Sequence, residues 1–454
     1  MSEAIASSSN IPVTPTYPHG WREIVNGSVE ENFVSIALGT LNELIRPDFI
    51  PSIEHIQLLL YLTLNPKSHS IKSDLPLNIL SRILSLHRPS TFSQAIPFHP
   101  SCSKKREEDP VWLQWDYKRS DLHKKVWRCM RLCLDDGIWA LLWEKKVEPQ
   151  THNQGKRERG IDEDDEEQRD NRRISEEGWK LLEWLIDFWE KDKLDRDVGS
   201  AEYSSLFLKQ LPRPFDRTGQ LPRNDASFPL SILKAAYTNT VKGEEGGRRK
   251  SSAVRLLSLV IDTTSGSKPP FHPASLTSSI IHLFRSLRTR DIQDITMRSK
   301  RATYWKAATH VLTLLIEDLG GIRNKKVEQR RQKGRSGINS TEQGDFENDI
   351  GLDRPTYKYL FDEILLLPLS ERAQDIEMIK RMVLLKLELL SIIKQYPYEK
   401  GIYEDTKRRL RDDQEWCQRL AKSLDWKSKG NDDEVEDIRL LQDTLKVCVQ
   451  SILL

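Results

Sequence analysis

His123, Cys129 and Cys133 are the first residues whose types could do chemistry, since thiolate and imidazole hold zinc at about 2.0–2.3 Å. Cys129 and Cys133, four apart, share a helix face, whereas His123 lies six before Cys129 and falls on another. With no second ligand pair nearby, the spacing points to two small side chains filling helix packing, and no metal site is expected. The carboxylate pairs Asp135-Asp136 and Asp362-Glu363 are adjacent in sequence, so a helix sends their members in different directions and they read as capping or surface charges. Phosphate-cradling glycine loops are missing. The cluster Gly243 to Gly247 encloses Glu244 and Glu245, which would repel a phosphate. The nucleophile elbow, the zinc-protease helix and the kinase motif set are missing too. The expectation is no catalytic residue and no cofactor.

Basic residues carry the stronger chemical signal. Arg285, Arg288, Arg290, Arg298, Lys300 and Arg301 bracket a turn between two predicted helices, and Lys325, Lys326, Arg330 and Arg331, with Lys333 and Arg335, concentrate charge in a polar loop. A third group is Lys407, Arg408, Arg409 and Arg411. Such clusters can be read by nuclear import receptors or can lie along nucleic-acid phosphates; the bland alternative is a solvated face. The run Asp162 to Glu167 is a solvated loop or a binding element for a basic partner. Ser175 and Ser251 are candidate phosphorylation sites. Tryptophans at 112, 115, 127, 139, 143, 179, 184, 189 and 305 fall mostly on apolar helix faces, which favours core packing over a stacking platform for bases.

The elements that would position these groups are helices. In Trp179 to Glu190 the polar residues Lys180, Glu183, Asp187 and Glu190 fall three, four and three apart, so one narrow stripe is polar and the rest of the surface apolar. Such a helix must be buried on most sides. Further helices are predicted at about 52–64, 75–87, 119–134, 137–146 (hinged at Gly137), 200–210, 229–241, 252–262, 273–290, 301–319, 355–366, 370–395 and 400–425. Ser28 and Glu31 read as a capping box ahead of a helix that ends before Pro47. In 433–453, Ile438, Leu441, Leu445, Cys448 and Ile452 form a regular stripe that must dock on something. No strand pattern persists beyond a few residues.

The resulting fold class is all-α, as irregular stacked helical pairs with long disordered charged insertions. It resembles HEAT-like or armadillo-like α-solenoids, though no fixed repeat is present, with a helical bundle as the competing architecture. The expected division is a disordered tail over 1–20, a helical region over 21–146, a disordered mixed-charge insertion over 147–175, a helical region over 176–319, a disordered basic loop over 320–353, and a helical region over 354–454.

The 454 residues hold 70 basic and 68 acidic side chains, a net charge of +2, so any attraction for nucleic acid must be local. The five irregularly placed cysteines fit a reducing compartment. The N-terminus lacks a secretory or mitochondrial signal, and the longest apolar runs, such as Leu58 to Leu62, are far short of the ~20 residues that span a bilayer. These features predict a non-enzymatic scaffold or adaptor subunit of a nuclear multiprotein complex, with other protein subunits as partners, no membrane, and the cytoplasm as alternative location. The second expectation is a nucleic-acid-binding factor in chromosome maintenance or RNA processing, using the clusters near 285–301 and 325–335.

Overall fold

Apolar side chains spaced at three and four residues leave helices no way to hide one face except against each other, and that is what the computed structural model shows. It describes residues 18–69, 74–102, 119–144, 173–197, 205–213, 223–238, 243–263, 270–301, 305–321, 355–368, 376–397, 400–423 and 432–453, with Thr16, Ile71 and Val241 besides. Among these the fold is all-α; the only extended pairings are isolated bridges, Thr16 with Ile50, Arg46 with Phe49 and Trp143 with Ile174. Most of the expected tail, insertion and basic loop lie outside the described residues.

The chain separates into two compact units, Met1–Phe228 and Pro229–Leu454. The first holds α1 (His19–Glu30), α2 (Val34–Leu44), α3 (Ile53–Leu64), α4 (Leu75–Leu86), the short α5 (Pro89–Phe92), α6 (Asp121–Arg131), α7 (Cys133–Asp136) and α8 (Glu176–Asp197). Helices α1 and α2 pair, as do α3 and α4, while α3 also packs on α6 and α8. The stretch 176–319, a single region by sequence, is thus divided. Its first helix, α8, packs with the N-terminal helices α3, α4 and α5, because its partners are chosen by apolar faces remote in sequence.

α8 is the helix with the narrow polar stripe. Lys180, Glu183 and Glu190 are half-buried and Asp187 exposed, whereas Leu181, Leu182, Trp184, Leu185, Ile186, Phe188 and Trp189 are all buried. Its rings knit the core: Trp189 meets Trp139 at 5.5 Å and Phe207 at 5.3 Å, and Phe188 meets Phe92 at 5.4 Å. Lys191 on its half-buried edge donates to the carbonyls of Leu84, Ser85 (3.3 Å) and His87 (3.1 Å), satisfying the end of α4 where backbone acceptors have no helical partner.

α1 corrects the reading of the N-terminus. Helix begins at His19, and Asn26, Gly27 and Ser28 lie inside it. Ser28 therefore caps nothing; its hydroxyl donates back to the Ile24 carbonyl at 3.2 Å, and α2 starts after Phe33 without a side-chain cap. The turn is closed instead by Asn32 at φ 63°, with the Phe33 amide donating to Ser28 O and the Asn32 amide to Val29 O. Within this unit His55 is buried against the side-chain oxygen of Asn26 at 3.1 Å, and desolvation, aided by Arg22 and His123, lowers its pKa to about 3.

The second unit follows from α9 (Ser227–Thr238), whose first residues close the first, through α10 (Gly243–Asp262), α11 (Pro273–Ser286), α12 (Thr289–Arg301), α13 (Trp305–Leu319), α14 (Tyr357–Tyr359, continued by a π-turn Leu360–Ile364), α15 (Ile376–Gln395), α16 (Lys400–Asp412), α17 (Gln414–Ser423) and α18 (Asp432–Leu453). α13 packs on α10, α11, α12 and α15, and α18 docks its apolar stripe on α15 and α16 with Ile438, Leu445 and Ile452 buried.

Two helices here differ from expectation. The Gly and charge cluster Gly243 to Lys250, taken as a separator, forms the first turns of α10; a Glu245–Arg249 pair supports it and Arg298 donates to Gly247 O at 2.9 Å. The stretch after Arg288, taken as a turn, is α12, whose Ile292 and Ile295 are buried. In both, tertiary contacts override weak local propensity.

Candidate functional site

The cysteine pair is core. Cys129 and Cys133 are free and buried, and burial, with Cys129 and Asp136 nearby, pushes the Cys133 thiol well above its ordinary pKa. His123 is buried, with Nδ1 2.7 Å from the hydroxyl of Ser120, the N-cap of α6. Among the described residues no group of His, Cys, Asp or Glu could hold a metal ion, and no helix is long and apolar enough to cross a membrane. Of the carboxylate pairs, Asp362 is tied to Arg409 at 3.0 Å.

The sequence-predicted basic residues stand in three situations. Arg285 on α11 makes a two-pronged ion pair with Asp318 at 2.7 and 2.8 Å, and Arg288 does the same with Asp291 at 2.8 and 3.2 Å. Arg298 binds Asp294 at 2.9 Å, a carboxylate that also accepts from the Tyr237 hydroxyl at 3.0 Å, so this arginine braces α9, α10 and α12 together. Burial, then Asp294, raises the Tyr237 pKa. Arg290 is exposed. Lys300 and Arg301 end α12, their side chains outside the description, and Lys325, Lys326, Arg330 and Arg331 lie wholly outside the described residues. Lys407 and Arg408 pair along α16 with Glu404 and Asp405. Three arginines that look free in sequence are thus neutralised by carboxylates, one of them, Asp318, 33 residues away in the chain.

Sequence reasoning gave no sign of a cavity of about 360 Å³ in the first unit, lined by Leu64 and Asn65 from the end of α3, Cys129 and Leu132 from the end of α6, Ala140, Leu141, Trp143 and Glu144 beyond it, and Ser175 and Glu177 from the start of α8. Its wall is built by a short extended contact: Ser175 N donates to Leu142 O at 3.0 Å and Glu144 N to Arg173 O at 2.8 Å. Ser175 is committed as the N-cap of α8, accepting from Gly178 N at 2.8 Å. Ser251 is exposed on α10.

Two glycines in the first unit are held to their type by conformation or space. Gly137 adopts φ 61°, a left-handed conformation that side chains disfavour, and so turns the chain after α7. At Gly178 a Cβ would overlap the Leu142 carbonyl oxygen and stand 2.7 Å from Ser175 Oγ. Gly178→Ala is therefore expected to destabilise the first unit by about 1–3 kcal/mol, more than offsetting the gain in helix propensity, as read from chemical denaturation. A neutral or stabilising effect would show that the contact between α8 and the 142–144 segment is looser than described.

No protein-family model, curated protein or solved structure matches this chain.

Proposed function

We propose that the protein is a non-enzymatic scaffold or adaptor subunit of a nuclear multiprotein complex, holding partner proteins on its helical surfaces. The observation that carries this reading is large apolar surface left open on helices whose other faces are buried: Ile24, Phe33 and Ile36 are 58%, 53% and 58% exposed, and Leu440 and Val447 on α18 are 68% and 62% exposed. Isolated exposed apolar residues are ordinary, but these recur with helical spacing. Phe33 and Ile36 lie one turn apart at the start of α2, and the Phe33 amide is bonded to Ser28 O, one turn beyond Ile24. Leu440 and Val447 lie two turns apart on one face of α18.

The nuclear assignment rests on the sequence cluster Lys325, Lys326, Arg330 and Arg331. Direct nucleic-acid binding through 285–301 is the weaker reading, because Asp318, Asp291 and Asp294 already answer Arg285, Arg288 and Arg298.

Affinity purification of the tagged full chain at about 100 mM salt tests the reading. The expected result is co-purification of partner polypeptides in near-stoichiometric amount, lost when Ile24, Phe33 and Ile36 are replaced by serine. Recovery of the chain alone, or of nucleic acid whose retention falls steeply with salt, would overturn it.

A further inference from the structure

The polar groups of the cavity in the first unit divide into those that are committed and those that are not. Asn65 Nδ2 donates to Tyr61 O at 2.9 Å, and Ser175 Oγ accepts from Gly178 N at 2.8 Å, so both are engaged at helix ends. Glu144 and Glu177 have no ion-pair or hydrogen-bond partner for their carboxylates among the described residues, and no Lys, Arg or His lines the cavity. Trp143 also lines it, with its indole Nε1 buried without a hydrogen-bond partner, and the remaining lining is apolar, from Leu64, Cys129, Leu132, Ala140 and Leu141.

Glu144 is exposed and Glu177 half-buried, and carboxylates at the rim of a hollow favour a cation that answers them. Aliphatic walls suit the methylene stem that lysine and arginine carry beneath their charge. The volume, about 360 Å³, falls in the range of ligand sites and equals roughly a dozen water volumes, so a long side chain fits with part of its backbone.

We infer that this cavity seats a cationic side chain, arginine or lysine, presented by a basic segment of a partner protein. The inference rests on the scaffold reading above and names the chemistry of one of its partners. Glu144 and Glu177 take the charged head, and the leucines and Trp143 cover the stem.

The test uses the full chain with N-acetyl-arginine amide as probe and N-acetyl-norleucine amide as its uncharged counterpart, followed by ligand-observed NMR titration. The arginine probe is expected to bind with Kd of ~1 mM or somewhat weaker, the norleucine probe about tenfold more weakly still. The double variant Glu144→Gln, Glu177→Gln should lose about tenfold in affinity for the arginine probe while melting within a few degrees of wild type, since the fold loses only the attraction of Glu177 for the N-terminus of α8. Ser251→Ala, at an exposed position on α10 in the second unit, serves as a control that must bind as wild type does. Equal binding of the two probes, unchanged affinity in the double variant, or no binding at about 20 mM would each overturn the inference. Partner recovery separates this failure from failure of the scaffold reading. Partners retained equally by wild type and double variant leave the scaffold standing and remove the cavity's role, whereas a wild type that recovers nothing removes the scaffold whatever the probes do.

Discussion

Trp189→Ala is expected to destabilise the first unit by about 3–5 kcal/mol, the range for emptying a large aromatic site in a core. Trp189 is fully buried on α8 and touches the rings of Trp139 and Phe207, so removing it opens a hollow between α8 and two segments that reach it from either side in sequence. Its indole Nε1 is buried without a hydrogen-bond partner. Trp189→Phe therefore discards an unanswered donor along with part of the ring, and should cost less than Trp189→Ala by at least about 1 kcal/mol. Urea unfolding followed by far-ultraviolet circular dichroism reads both. A loss under about 1 kcal/mol for Trp189→Ala would mean that α8 does not organise the unit as its burial indicates.

The second large effect concerns pH. Lys386 on α15 is fully buried, and its ammonium donates to Leu365 O at 2.9 Å and Leu367 O at 2.6 Å, closing the chain that follows the π-turn of α14. Burial lowers its pKa from 10.5 to about 7. In the unfolded chain the lysine keeps its proton up to about pH 10.5, whereas the folded one releases it near 7, so between these values the unfolded state binds more protons and stability rises with pH. Below pH 7 both states are charged and the full penalty applies, on the order of 5 kcal/mol across the whole window. In Lys386→Met the rise between pH 7 and 9, about 2–3 kcal/mol, should vanish from the second unit. The absolute stability at pH 7 changes less, because Met leaves the two carbonyls without their donor. Burial also raises the pKa of Tyr237 and Tyr403, which drives stability down at higher pH, but both are present in either protein and cancel in the difference. Parallel pH profiles for wild type and variant would contradict the assignment.

Much of the fold was legible because burial imposes a period. The stripe of Lys180, Glu183, Asp187 and Glu190 located the outward edge of α8, and Ile438, Leu445 and Ile452 located the inward edge of α18, with no knowledge of what either would meet. Local rules failed where the decisive contact is remote. Gly246 and Gly247 argue against helix, yet Arg298, more than fifty positions on, bonds the Gly247 carbonyl inside α10. Ser28 and Glu31 satisfy the spacing of a capping box while sitting at the wrong end of a helix, since α1 runs on through Asn26 and Gly27. The cavity was invisible for a related reason. Leu64, Cys129, Trp143 and Glu177 come from four segments, and only the packing of α3, α6 and α8 brings them to one hollow. The basic clusters were legible as charge, but Arg288 and Arg298 are answered by Asp291 and Asp294 on a helix read as a turn, and Arg285 by Asp318 on another helix.

Hydrogen exchange of the full chain, followed by mass spectrometry, tests most directly the claim that a nearly all-round apolar helix is the buried axis of the first unit. Amides from Trp179 to Glu190 are predicted to exchange only through global unfolding of that unit, and so to be among its slowest. Exchange of that stretch within seconds, as fast as amides at the exposed end of α1 near His19, would contradict the account.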